Sequence, residues 1–164
     1  MKRFAVAFTG PSGSGKTTLV EKIAKVLISQ REVAIIKHDP KDKAIFDTEG
    51  KDSYKFSQIG AEVIVASSTR TTYFSKRNKE LDEIIRIFNH FDILLVEGLK
   101  TLPLPRIAIF RGRIDESYLH CSEAIAIDDT IDIEEYTLPK NIDILDLNNT
   151  TQIIEWIDKN AKSV

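Results

Sequence analysis

The sequence predicts an α/β fold in three layers, a mainly parallel sheet with helices on both faces. Two observations point there. Short apolar runs alternate with segments of helical period, which implies right-handed crossovers and a mostly parallel sheet. The first apolar run also feeds a glycine-rich loop that opens directly onto a helix, an arrangement that orders a costly, poorly packed segment only for a reason.

The elements follow in order. "RFAVAFT" is short, nearly all apolar and stops at a glycine, as a buried strand does. Leu19, Ile23, Val26 and Leu27 recur at helical spacing, which predicts a helix from about Lys16 to Gln30. "VAIIK" is a second buried strand, and residues 38–51 after it are polar and irregular. "DSYKFSQIG" reads as a short helix with Asp52 or Ser53 as N-cap and Gly60 just past its end. "EVIVAS" is a third strand, and "NKELDEIIRIFNHF" puts Leu81, Ile84, Ile85 and Phe88 on one helix face. "DILLVEG", "RIAIFR", "EAIAID" and "NIDILDL" supply four more strands, and "TTQIIEWIDKN" a closing helix. The back half has fewer helices, so one antiparallel strand is expected there.

A chain of 164 residues suits one domain spanning 1–164, and no internal repeat or linker interrupts it. A chain of this size buries roughly 70% of its unfolded surface and needs no metal or disulfide to fold. The 23 lysines and arginines against 25 aspartates and glutamates give a net charge of −2, which argues against a broadly basic nucleic-acid surface. Cys121 is the single cysteine and has no internal partner for a disulfide. No apolar run reaches the eighteen or so residues of a membrane span. The basic-then-apolar N-terminus "MKRFAVAFTG" is short and lacks a small-residue cleavage site, so it reads as a first strand of a cytoplasmic protein.

In "FTGPSGSGKTTL" the residues Gly10, Gly15, Lys16 and Thr17 satisfy G-x-x-x-x-G-K-S/T, the phosphate loop of the phosphate-loop NTPase fold. The glycines let successive backbone N–H groups face one anion, and the helix behind them adds its positive dipole end. Gly10, Ser12, Gly13, Ser14, Gly15, Lys16, Thr17 and Thr18 are therefore the expected nucleotide-binding residues. Lys16 is placed to reach the β- and γ-phosphates, and the Thr17 hydroxyl to ligate Mg²⁺. The spacing is not the G-x-G-x-x-G of a dinucleotide fold, which removes a dehydrogenase from consideration.

Ligands of such sheets sit beyond the carboxyl ends of the strands, so polar residues directly after apolar runs are the next candidates. Glu97 ends "DILLVE" and is expected to hold Mg²⁺ or orient a nucleophile. The segment after the second strand crowds Lys37, His38, Asp39, Asp47, Lys51 and Asp52 together. Asp39 or Asp47 could position water or metal there, and Lys37 and Lys51 could hold phosphates; long polar loops in compact domains are more often functional than not. "SSTRTT" offers hydroxyls and Arg70 to an anion. Arg111 and Arg113 could neutralise phosphate, although basic residues after a strand are usually just solvated. His90 and His120 read as surface residues, and Trp156 and Cys121 as packing.

The phosphate loop, "KHD" followed by "GKDSY", and "EGLK" together resemble the molybdopterin-guanine dinucleotide biosynthesis adaptor proteins, the MobB family. The resemblance covers roughly the first 110 residues well. It implies a dimeric GTP-binding protein with weak GTPase activity. Such a protein assists the guanylyltransferase that joins GMP to molybdopterin. Carried over by position, Gly10–Thr18 would bind phosphates, Glu97 would be the magnesium-linked acid, and residues 37–52 would lie over the nucleotide or pterin. Further histidines that many members carry after "KH" are absent from "KHDPKDKAIFD". No N-K-x-D guanine-reading motif occurs either, so guanine preference rests on the resemblance. Two rival readings remain at this stage: an ATP-dependent small-metabolite kinase with Asp39 as base, and a nucleotide-controlled switch without useful turnover.

Overall fold

The computed structural model describes residues 2–164. By their contacts these fall into two compact units, one of residues 2–38 and Phe88–Val164, the other of Asp39–Ile87.

The first unit is built on β1 (Phe4–Thr9), β2 (Val33–Lys37), β5 (Ile93–Glu97), β6 (Arg106–Phe110), β7 (Ala124–Ile127) and β8 (Asp143–Asp146). These pair side by side in the order β2-β5-β1-β6-β7-β8, every pair parallel. Strand-to-strand order therefore departs from chain order, with β1 in the middle of the sheet between β5 and β6. Alternate residues of the central strands face opposite ways. One set, including Val6, Phe8, Leu95, Ile107 and Ile109, packs on Leu19, Ile23, Ile153 and Ile157 of α1 (Lys16–Leu27) and α4 (Thr150–Asn160). On the opposite face Ala108, Phe110 and Ile125 pack on Ile114, Leu119 and Ile131, from a segment containing 3-10 turns at Glu116–Cys121 and Ile133–Glu135.

In the first unit three details differ from the sequence expectation, and in the second the helix at Leu81–Ile87 stops short of Phe88, while Lys51 rather than Asp52 or Ser53 is the N-cap of the helix at Asp52–Gln58. Helix α1 ends at Leu27 rather than Gln30, because the Leu27 carbonyl accepts the N–H groups of both Gln30 and Arg31 at 2.9 Å and closes the turn. Val26 is half exposed at 49%, and Val20 takes its place in the core. The antiparallel strand is β9 (Lys162–Ser163), too short to register as a pattern. It fits where it does because β6 joins β1 only from Ala7 onward, leaving the edge of Phe4 and Ala5 to pair with Ser163 and Lys162. Covering that edge removes unpaired backbone groups from the sheet.

The second unit carries α2 (Asp52–Gln58), the antiparallel hairpin of β3 (Val63–Ala66) and β4 (Thr71–Phe74), and α3 (Leu81–Ile87). Here β3 pairs with β4 rather than joining the parallel sheet. The "SSTRTT" segment proves to be the hairpin turn and the start of β4: the Ser67 hydroxyl accepts the N–H groups of Thr69 and Arg70, at 3.3 and 3.2 Å. Among the described residues no helix is long and apolar enough to cross a membrane.

Candidate functional site

Register decides what meets at the carboxyl edge of the large sheet. Glu97 lies opposite both Phe8 of β1 and Lys37 of β2, so the ends of three strands bring the phosphate loop, Glu97 and Lys37 together. The loop leaves β1 at Gly10 with φ +140°, and a Cβ there would lie 2.4 Å from the Ile109 carbonyl oxygen. Only glycine lets the loop turn this close to β6. Gly15, with φ +94°, is the N-cap of α1.

The charged groups are already arranged around one spot. The Lys16 ammonium donates to the carbonyls of Gly10 at 2.9 Å and Pro11 at 2.6 Å, folding the side chain back across its own loop. Burial pushes the Lys16 pKa down, the Glu97 carboxylate partly restores it, and the neighbouring Lys37 lowers it again. The Thr17 hydroxyl lies 3.0 and 3.1 Å from the two Glu97 carboxylate oxygens, and Lys37 Nζ donates to Glu97 Oε1 at 2.9 Å. Glu97 is only 8% exposed. His38 packs on the turn that follows: a Cβ on Gly98 would lie 2.8 Å from its Cβ, and its N–H donates to the Glu97 carbonyl.

The buried Ser14 hydroxyl has no hydrogen-bond partner among the described residues, and an unpaired buried polar atom is costly unless something completes it. With a side-chain-free turn at Gly10, a helix N-terminus and an ammonium held only by carbonyls, the cradle fits phosphate oxygens, stronger acceptors than those carbonyls. The hydroxyl of Thr17 and the carboxylate of Glu97 are the hard oxygen donors that Mg²⁺ favours.

Of the expected site residues, those in the loop together with Lys37, His38 and Glu97 are thus gathered by the first unit. Asp39, Asp47, Lys51 and Asp52 belong to the second, where the three carboxylates have partners of their own. Asp39 accepts the N–H groups of Lys41, Lys43 and Ala44, the last at 2.6 Å, and so shapes its own loop. Asp47 accepts the hydroxyls of Ser53 at 2.9 Å and Ser57 at 2.7 Å, tying that loop to α2. Lys51 is the α2 N-cap, and Asp52, in the first turn, pairs with Lys55 at 3.1 Å.

One arginine escaped the sequence reading. Arg106 is 1% exposed, and its guanidinium donates to the carbonyls of Gly98, Leu102 and Cys121. It holds the loop behind Glu97, in which Leu99 is left-handed at φ +53°. Burial lowers its pKa, with Cys121 and Glu123 opposing. A lone arginine inside an apolar strand start gives no pattern to find it by. Arg111, open in the sequence between neutralising phosphate and being merely solvated, lies against Gly15 of the phosphate loop. The signal was available: Arg111 directly follows an apolar strand, as Lys37 ends one.

Comparison with known proteins agrees with the fold. The family model for molybdopterin guanine dinucleotide synthesis protein B matches residues 5–129. The molybdopterin-guanine dinucleotide biosynthesis adapter protein of Haemophilus influenzae is 33% identical, over 93% of this chain and 86% of that one. Its Escherichia coli counterpart is 30% identical, over 94% and 93%. The crystal structure of Bacillus subtilis MobB superposes with a TM-score of 0.74 at 24% identity, covering 96% of this chain and 98% of that chain.

Proposed function

We propose a function from one premise: the chain belongs to the family of molybdopterin guanine dinucleotide synthesis protein B. It serves as an adapter in making the guanine dinucleotide form of molybdopterin, and it does so as a GTP- and Mg²⁺-binding protein. The observation that carries the nucleotide reading is the joining of Lys16, Thr17 and Glu97 at the end of β1.

Each residue then has a task. The loop N–H groups and the α1 dipole hold the phosphates, while Lys16 turns from its carbonyl partners to the phosphate oxygens. Thr17 and Glu97 hold Mg²⁺, which when bound neutralises charge between the β- and γ-phosphates. Lys37 aims the Glu97 carboxylate through its 2.9 Å contact. Weak GTP hydrolysis at most is the expectation that family membership carries.

Guanine preference and the guanylyltransferase as working partner follow from family membership. Reconstitution tests them. Guanylyltransferase, GTP and molybdopterin with the wild-type chain should form the dinucleotide faster than without it, and Lys16→Ala should remove the gain. An equal gain from Lys16→Ala would contradict the proposal.

A further inference from the structure

Arg111 begins the turn out of β6, in a place that its charge should disfavour. A Cβ on Gly15 would lie 3.2 Å from Arg111 Nε and 3.8 Å from Nη2, so the guanidinium covers the first turn of α1. A cation at a helix N-terminus opposes the dipole, and Lys16 already places an ammonium in this loop. The side chain is nonetheless held there. Asp128, whose side chain is 6% exposed at the end of β7, faces Arg111 Nη1 at 3.4 Å. Asp128 is itself fixed by the N–H and hydroxyl of Thr130, and the Thr130 hydroxyl accepts the Gly112 N–H at 2.8 Å. A guanidinium kept beside an anion cradle by a buried carboxylate is placed for an anion. The unpartnered, buried Ser14 hydroxyl in the same loop also awaits one.

The direction of the nucleotide follows from sheet order. Thr17 of α1 and Glu97 of β5 would hold Mg²⁺ to one side of β1, which makes that side the end of the terminal phosphates. The nucleoside end must run the other way, over β6 toward β7 and β8. There Ile127, Asp128, Ile144, Leu145, Asp146 and Asn148 line an open hollow of about 420 Å³. Arg111 stands between the loop and that hollow.

We propose that Arg111 binds the α-phosphate of the nucleotide, with Asp128 as the positioning residue that holds its guanidinium over Gly15. The inference rests on the nucleotide-binding reading above and adds to it a residue of the nucleoside-side subsite. An α-phosphate contact is common to nucleoside di- and triphosphates, whereas a γ-phosphate contact is not.

The test is calorimetric binding of GTP and GDP with Mg²⁺ to wild type, Arg111→Ala, Arg111→Gln and Lys16→Ala, with thermal unfolding of each free protein as a check on folding. Arg111→Ala should weaken GTP and GDP alike, by about 10- to 100-fold, the worth of a charge-assisted hydrogen bond. Arg111→Gln, which keeps length and polarity but not charge, carries the same comparison should the alanine variant not fold. Wild-type affinity for both nucleotides in either folded variant overturns the proposal. So does a loss confined to GTP, which would put the guanidinium on the γ-phosphate. If Lys16→Ala loses binding while the Arg111 variants keep it, only this inference fails. A wild type that binds neither nucleotide overturns the underlying reading as well.

Discussion

Lys16 shows how one side chain is tuned by what surrounds it. Burial disfavours its ammonium, Glu97 favours it and Lys37 disfavours it, leaving the pKa below the ordinary lysine value of 10.5. Phosphate oxygens beside the ammonium would favour the charged form, so binding and protonation are linked. The sign is fixed: affinity is full while Lys16 is protonated in the free protein and weakens as pH rises through its depressed pKa. Calorimetry of GTP across neutral to alkaline pH should show that loss begin before 10.5. An affinity flat up to that pH would contradict the role given to Lys16. Arg106 and Arg111 teach the opposite lesson about legibility. Neither is marked by periodicity, because what gives each its task is contact with Gly98 or Gly15, residues distant or turned away in sequence.

Among the elements, the buried strands were legible because they are short, continuous and apolar: β1, β5, β6 and β7 lie where their runs predict, and so does β2, although as an edge strand it buries only Ala34 and Ile36 and leaves Ile35 exposed. Strand β4 was not, since "TTYF" follows a polar turn and carries two threonines that read equally well as loop. The hairpin it forms is held by charge as well as by backbone pairing. Glu62, just before β3, is hydrogen-bonded by Arg77, Lys79 and Tyr73, and its pKa is drawn down from 4.5 to about 2. A carboxylate with a depressed folded-state pKa contributes above its unfolded value and loses that contribution as pH falls toward the folded one. Following the Glu62 side-chain carbon by NMR should therefore give a midpoint near 2 rather than 4.5. A midpoint at the ordinary value would mean that Arg77 and Lys79 are not engaged in solution.

At the scale of the whole molecule, the alternation of apolar runs and helical segments foretold the parallel sheet, and the glycine spacing foretold the phosphate loop. The strand order was not legible, because it depends on where β5 and β6 flank β1, a matter of crossover and packing rather than of local pattern. That order is what joins Glu97 and Lys37 to Thr17 on one side and sets Arg111 and Asp128 on the other. The most direct test of the account is calorimetric binding of GTP and of ATP, each with Mg²⁺, to the wild-type chain and to Lys16→Ala. The account predicts GTP at least tenfold tighter, about 1.4 kcal/mol, and no measurable binding once Lys16 is gone. Binding that survives Lys16→Ala, or an equal or greater affinity for ATP, would contradict it.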